Sequence, residues 1–403
     1  MKKITISLCL LILSLASNTS QANDNDEIPP ILYLLLLDDE QVCADTGDND
    51  NDRLLNCHET NTGVYVNNQD TGTDPNVADT DGDSISDGDE VLGTLAGLDL
   101  PALGVNPLKK NMLLEYDWFD DNLDSGTCAA HSHQPTAAAI ARFTASFANS
   151  PVTNPDGSTG ITVINDYGQG GVYTGGNLIN DADGVLTGGV NHSEFQAHKS
   201  ANLSSNRNGY FHYVILPHRY NTNSGSSGQA ELPGDDLIVS LQCYSGTNNT
   251  ANTIMHELGH NLNIRHGGHN NCNYKPNYNS VMNYRYQFPG VDTDCNVSPN
   301  GALDFSRDNN RDLNENSLNE TLGVCNSAVS SFDWNGNSSI ETNVSVDINS
   351  SDSFQVSQCG ATLSTLRDHD DWTNMLFTGL SDADGANLTP VEIINCVNPV
   401  PTN

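Results

Sequence analysis

Positive charge is scarce in this chain of 403 residues: 15 Lys and Arg stand against 51 Asp and Glu, a formal net charge of −36. A surface so short of cations cannot collect phosphate groups, so nucleic acid and anionic membranes are excluded as partners. Long apolar runs are also missing once the first residues are passed. The run 31–37 holds seven residues, whereas a helix needs about 20 to cross a bilayer. Glutamate is thin, since 39 of the 51 acids are Asp, and none occurs between Glu257 and Glu315. That gap removes any zinc scheme that takes its third ligand from a glutamate shortly downstream of Glu257.

What is present begins with Met1-Lys2-Lys3, an apolar stretch over 4–16 and small or polar residues ending in Ser20-Gln21-Ala22. This reads as an export signal peptide over 1–22, cleaved after Ala22. The expected location is extracellular or periplasmic. Cys9 lies inside the apolar stretch with no lipobox after it, which argues against a lipoprotein. Ten cysteines less Cys9 leave nine. Export favours disulfides, and an odd count leaves one thiol free or paired with another chain. Local spacing favours Cys43 with Cys57, and Cys272 with Cys295 as a clamp on the segment between them.

The chemistry concentrates in His256-Glu257-Leu258-Gly259-His260-Asn261-Leu262-Asn263-Ile264-Arg265-His266. Residues four apart share a helix face, so His256 and His260 can offer two imidazoles to one ion, with Glu257 beside them. His266 is too far along for that face. A sharp turn after Asn263 brings it back as a third ligand. Three protein ligands leave a tetrahedral zinc one open position for water, which is the catalytic pattern. Chance supplies such a pattern about 3 times in 10,000 chains of this length. His269 is the rival third ligand, with the spacing favouring His266.

The motif resembles that of the metzincin metallopeptidases, HExxHxxGxxH followed by a methionine turn. The turn is present as Ser280-Val281-Met282-Asn283-Tyr284. The resemblance implies that Met282 forms a floor under the histidines and that Tyr284 can reach the metal or the oxyanion. Asn263 departs from the family glycine, and asparagine is the next best residue for the left-handed conformation required there. The implied function is a secreted zinc endopeptidase acting on proteins or peptides, with Glu257 as general base. Two rivals are a calcium-dependent adhesion or matrix module on a non-catalytic zincin fold, and a zinc amidase with a non-peptide substrate. A free cysteine ligating zinc in a latent precursor is a further reading.

Residues 23–105 are rich in Asp, Asn and Gly. Two stretches fit the twelve-residue calcium-loop register: Asp48, Asp50, Asp52, Asn56 and Glu59, and then Asp79, Asp81, Asp83, Asp87 and Glu90. Arg53 and Ser84 stand where an EF-hand has Gly. The segment resembles thrombospondin type 3 repeats, which coil around calcium without flanking helices. The alternatives are an acidic linker or a propeptide. Asp333 to Glu341 carries a weaker oxygen pattern.

From residue 107 the composition changes. Strands are expected over 110–118, 160–164, 211–216 and 236–241, a helix over 135–149, and a cleft-lining edge strand over 226–234. The fold class implied is α+β, a metzincin-like zincin over 106–290 with a mixed, mostly parallel twisted sheet and an active-site helix. An irregular lower subdomain follows over 291–403. Asp368-His369-Asp370-Asp371-Trp372 reads as structural, with Trp372 buried and the acids solvated or capping. His131, His133, His212 and His218 each read as core or surface residues.

Overall fold

The computed structural model describes residues 43–120, 129–181, 183–221, 225–349, 358–377 and 392–399. The signal peptide, Cys9, the apolar run at 31–37 and Cys128 lie outside them. The chain divides into two compact units, Met1–Asp45 and Thr46–Asn403, and the second carries everything below.

Its centre is a seven-stranded sheet. The strands are β1 (Asn111–Phe119), β2 (Thr162–Asp166), β3 (Leu178–Ile179), β5 (Phe211–Leu216), β7 (Ser226–Leu232), β8 (Asp236–Val239) and β11 (Glu392–Pro399), ordered β11-β7-β8-β5-β1-β2 with β3 on the far end of β1. Short pairs β4 (Val185–Leu186) with β6 (Arg219–Tyr220), and β9 (Leu313–Asn314) with β10 (Thr365–Leu366), lie outside it. Strands β2, β1, β5 and β8 are parallel, whereas β7 runs antiparallel to β8. The parallel core follows from the sequence of β5, Phe-His-Tyr-Val-Ile-Leu, which is buried throughout. Such a run has no face to offer water and must be covered on both sides.

Alternation decides which side each residue serves. Met112, Leu114 and Tyr116 face one core with α3 (Ala137–Ala148) and α5 (Thr247–Asn261). Leu113 and Phe119 face the other, with Leu100 and Leu103 of α2 (Leu100–Leu103) and Phe195 of α4 (Ser193–Asn202). Thr136 caps α3 by accepting from the Ala139 N–H, and Ile140, Phe143 and Phe147 form its buried face. Arg207, itself buried, bridges Glu115 of β1 and Asp166 of β2, with its Nη2 2.8 Å from Asp166. Burial still raises the Glu115 carboxyl to about 7, because the guanidinium offsets only part of the desolvation.

Four expectations need correction. The segment after 226 is a strand, but β11 lies antiparallel along it, so β7 is not an edge. Cys272 pairs with Cys359, and Cys295 with Cys325, at Cα separations of 4.5 and 5.7 Å. The Cys272–Cys295 clamp is absent because each sulfur is taken by its own partner; Cys295 sits left-handed in a turn held by Asp292, which accepts from the N–H groups of Asp294, Cys295 and Val297. Trp372, in α6 (Asp371–Asn374), is buried as expected and Asp370 caps that helix by accepting from the Thr373 N–H, but Asp371 is neither solvated nor a cap. It accepts from the Tyr278 and Ser280 hydroxyls and the Ser306 N–H, tying the methionine turn to the C-terminal region. Finally, the second acidic loop runs into a helix, α1 (Asp87–Leu92), where coil was expected. Ser86 caps it, and Asp87, Asp89 and Glu90 in its first turn suit its positive end.

Candidate metal centre

Helix α5 runs under the sheet and is buried at every position from Thr250 to Asn261. It stops where Asn263 takes φ 69°. The Asn263 N–H donates to the His260 carbonyl (2.8 Å) and the Ile264 N–H to that of Gly259 (2.9 Å), the two bonds of a Schellman cap. The reversal carries His266 back over the helix. His256, His260 and His266 then surround one point, with ring centroids 4.9, 5.3 and 4.8 Å apart. His269 lies elsewhere, 5.5 Å from the His369 ring.

The outer nitrogens are anchored on backbone: His256 Nδ1 lies 2.8 Å from the Val281 carbonyl, and His260 Nδ1 2.7 Å from that of Ile264. A ring that donates from Nδ1 presents its Nε2 lone pair, the arrangement metal-binding histidines use. Full burial lowers the His256 pKa to about 4, and His260 and His266 well below their ordinary value, so all three are neutral ligands at pH 7. Desolvation drives Glu257 the other way, well above the usual carboxylate range. Its Oε1 is buried with no hydrogen-bond partner among the described residues. Three convergent imidazole nitrogens beside an unsatisfied carboxylate fit a zinc ion.

The methionine turn closes the floor. A Cβ on Gly259 would lie 2.3 Å from the Met282 sulfur and 3.1 Å from Phe305, so the turn packs against a position that only glycine fills. Tyr284 is half-stacked on the site, its ring 4.4 Å from that of His266 and 5.8 Å from that of His256.

The fourth donor is Cys396, on β11. Its sulfur is 3.2 Å from His256 Nε2, 3.4 Å from His260 Nε2, 3.7 Å from His266 Nε2 and 3.2 Å from Glu257 Oε2. The four side chains form one buried cluster able to hold a metal, and Cys396 is a free cysteine. In register it faces Gly228 of β7, where a Cβ would meet Glu257 Oε1 at 2.2 Å. Sequence reasoning reached the odd cysteine count and the reading of a free cysteine on the zinc of a latent precursor, with nothing to say which thiol that is.

The acidic loops fold as compact turns. Asp79 accepts from the N–H groups of Gly82, Asp83 and Ser84, and Asp48 from those of Asn51 and Arg53. Arg53 and Ser84 take φ 86° and 76°, so both adopt the left-handed backbone that glycine supplies at that loop position. Asp52, Glu59, Asp81, Asp83, Asp87 and Glu90 are buried, and Asp48, Asp50, Asn56 and Asp79 half-buried. Oxygens of Asp50, Glu59, Asp81 and Glu90 are buried without a partner among the described residues. Asp333 repeats the pattern, accepting from Gly336, Asn337 and Ser338, but on an exposed surface.

Residues 193–302, about a quarter of the chain, match the family model for gametolysin peptidase M11. The matched stretch contains the zinc-type helix, His266 and the methionine turn, and it supports a zinc metallopeptidase, a hydrolase. Curated proteins return no match. Among solved structures, archaemetzincin from Methanopyrus kandleri is similar at 14% identity, over 43% of this chain and 81% of that one, with a TM-score of 0.23. A likeness that low carries no argument about fold.

Proposed function

We propose that the chain is an exported zinc endopeptidase that hydrolyses peptide bonds with Glu257 as general base. The convergence of three carbonyl-anchored or buried imidazoles with the unsatisfied Glu257 oxygen is the observation that carries this reading. His256, His260 and His266 hold zinc, which when bound supplies Lewis acidity that polarises the scissile carbonyl and acidifies water. Glu257 takes the proton of the attacking water and passes it to the leaving amine. Burial raises its pKa above the usual carboxylate range, which favours holding the proton once it is taken. Tyr284, at the rim of the histidines, donates to the developing oxyanion. A substrate peptide aligns as a strand along β7, where Gly228 leaves Glu257 room to reach the chain.

In the described form that place is taken. Strand β11 pairs with β7 from Glu392 opposite Leu232 to Cys396 opposite Gly228, and the Cys396 sulfur stands where water must enter. The form is latent, and hydrolysis requires β11 to leave. The acidic loops bind calcium: the buried, unpaired carboxylate oxygens support this, since such groups stay charged only beside a cation.

The test uses full-length protein and a C396A variant incubated with a denatured proteome, with and without chelator, and new termini mapped by mass spectrometry. Chelator-sensitive internal cleavages support the reading. A zinc-loaded protein truncated before Glu392, free of both Cys396 and β11, that creates no new termini overturns it.

A further inference from the structure

We infer that His131, His133 and His218 form a second metal site, a tripod of imidazoles that takes a borderline divalent ion of the zinc type.

The chain after β1 doubles back, with the His133 N–H donating to the Phe119 carbonyl at 3.0 Å. This sets His131 and His133 beside the end of β5. There His218 donates to the Gly184 carbonyl at 2.8 Å and accepts from the Gln242 N–H at 3.0 Å. The three ring centroids are 4.5, 5.4 and 6.1 Å apart. The HExxH histidines span 4.8 to 5.3 Å, so two of the three separations are of the same size. One nitrogen from each ring lies within 4.8 Å of the others.

Burial and hydrogen bonding argue that this is more than a stack of rings. His133 is 5% exposed, and its Nε2 has no hydrogen-bond partner among the described residues. An unsatisfied buried nitrogen destabilises the fold, and a metal bond removes that cost. His131 forms the half-exposed mouth, with Nδ1 2.9 Å from the Ala129 carbonyl and Nε2 3.1 Å from that of Gln242. A metal bond from this ring replaces one of those two contacts.

The donor set selects the ion. Among the described residues the group contains imidazoles and no carboxylate, which suits zinc, copper or nickel and not the oxygen-seeking calcium of the acidic loops. The tripod joins the segment after β1 to the carboxyl end of β5, and through His131 to the Gln242 carbonyl beyond β8. Its role is to fix those loop ends, whatever the HExxH centre does.

Full-length protein is loaded with zinc in calcium-containing buffer, dialysed free of excess metal, and its zinc counted by mass spectrometry. Two equivalents are expected. H131A, at the exposed mouth where folding is not at stake, and H133A should each fall to one, and H256A should fall to one independently. Zinc counts that H131A and H133A leave at the parent's value, whether one equivalent or two, overturn the tripod. Loss in H131A with no loss in H256A leaves the tripod standing and removes the HExxH zinc instead.

Discussion

Replacing Gly259 with alanine sets two effects of known size against each other. In the middle of a helix the change gains about 1 kcal/mol, because glycine loses more backbone entropy on folding. The added methyl would sit 2.3 Å from the Met282 sulfur, 3.0 Å from its methyl carbon and 3.1 Å from Phe305. An exposed methionine would swing aside at little cost. Met282 is fully buried, as is Phe305 to within 1%, so neither has space to yield. Overpacking of this kind costs about 1–3 kcal/mol. The clash therefore wins, and net destabilisation of about 0–2 kcal/mol is expected despite the better helix former. The displaced methionine turn carries Val281, whose carbonyl orients His256, so zinc retention should fall together with thermal midpoint. Calorimetry with a zinc titration checks both. A G259A protein that is more stable than the parent by about 1 kcal/mol, with unchanged zinc affinity, refutes the packing argument. Truncating the partner in G259A/M282A should restore part of the lost stability if contact is the cause.

Glu257→Gln keeps the shape and removes the base: zinc should remain bound while peptide hydrolysis falls by ~10² to 10⁴, read by metal content and turnover together. Cys396→Ala should raise activity of the full-length chain and abolish the thiolate absorption of the cobalt-substituted protein; a parent without that absorption would show that the sulfur does not reach the metal. In calcium-free buffer the acidic segment should lose stability as pH rises. Burial and mutual repulsion raise Asp81 to about 9, Glu59 to about 8, and Asp83 and Asp87 to about 7. Folded values above the unfolded ones mean the folded state holds its protons longer, so stability is greatest below about pH 4 and declines up to about pH 9. Calcium should abolish the decline, and hydrogen exchange at pH 5 and 8 distinguishes this from a pH-independent acidic linker.

The part of the centre legible in the sequence is the part that lies along one helix and its cap. Four-residue spacing places His256 above His260 in any helix, and an asparagine after the last turn reverses the chain through its tolerance of positive φ, so His266 returns without help from distant residues. The strands β1, β5 and β8 were equally readable, because runs of buried apolar residues carry their own pattern.

Other features depend on which distant segments meet, and no local period encodes that. Cys396 reaches Glu257 across 139 residues only because β11 pairs with β7. Cys272 passes over the nearer Cys295 for Cys359, and Asp371 turns inward to hold Tyr278 and Ser280 from more than 90 residues away. His131, His133 and His218 likewise become neighbours only when the chain doubles back beside β5. The sequence alone determined the zinc-type helix, its turn and the core strands, because nearest-neighbour sterics and spacing suffice for them. Tertiary structure decided what fills the fourth position beside the three histidines, since that sulfur is placed by a strand pairing whose register exists only in the folded sheet.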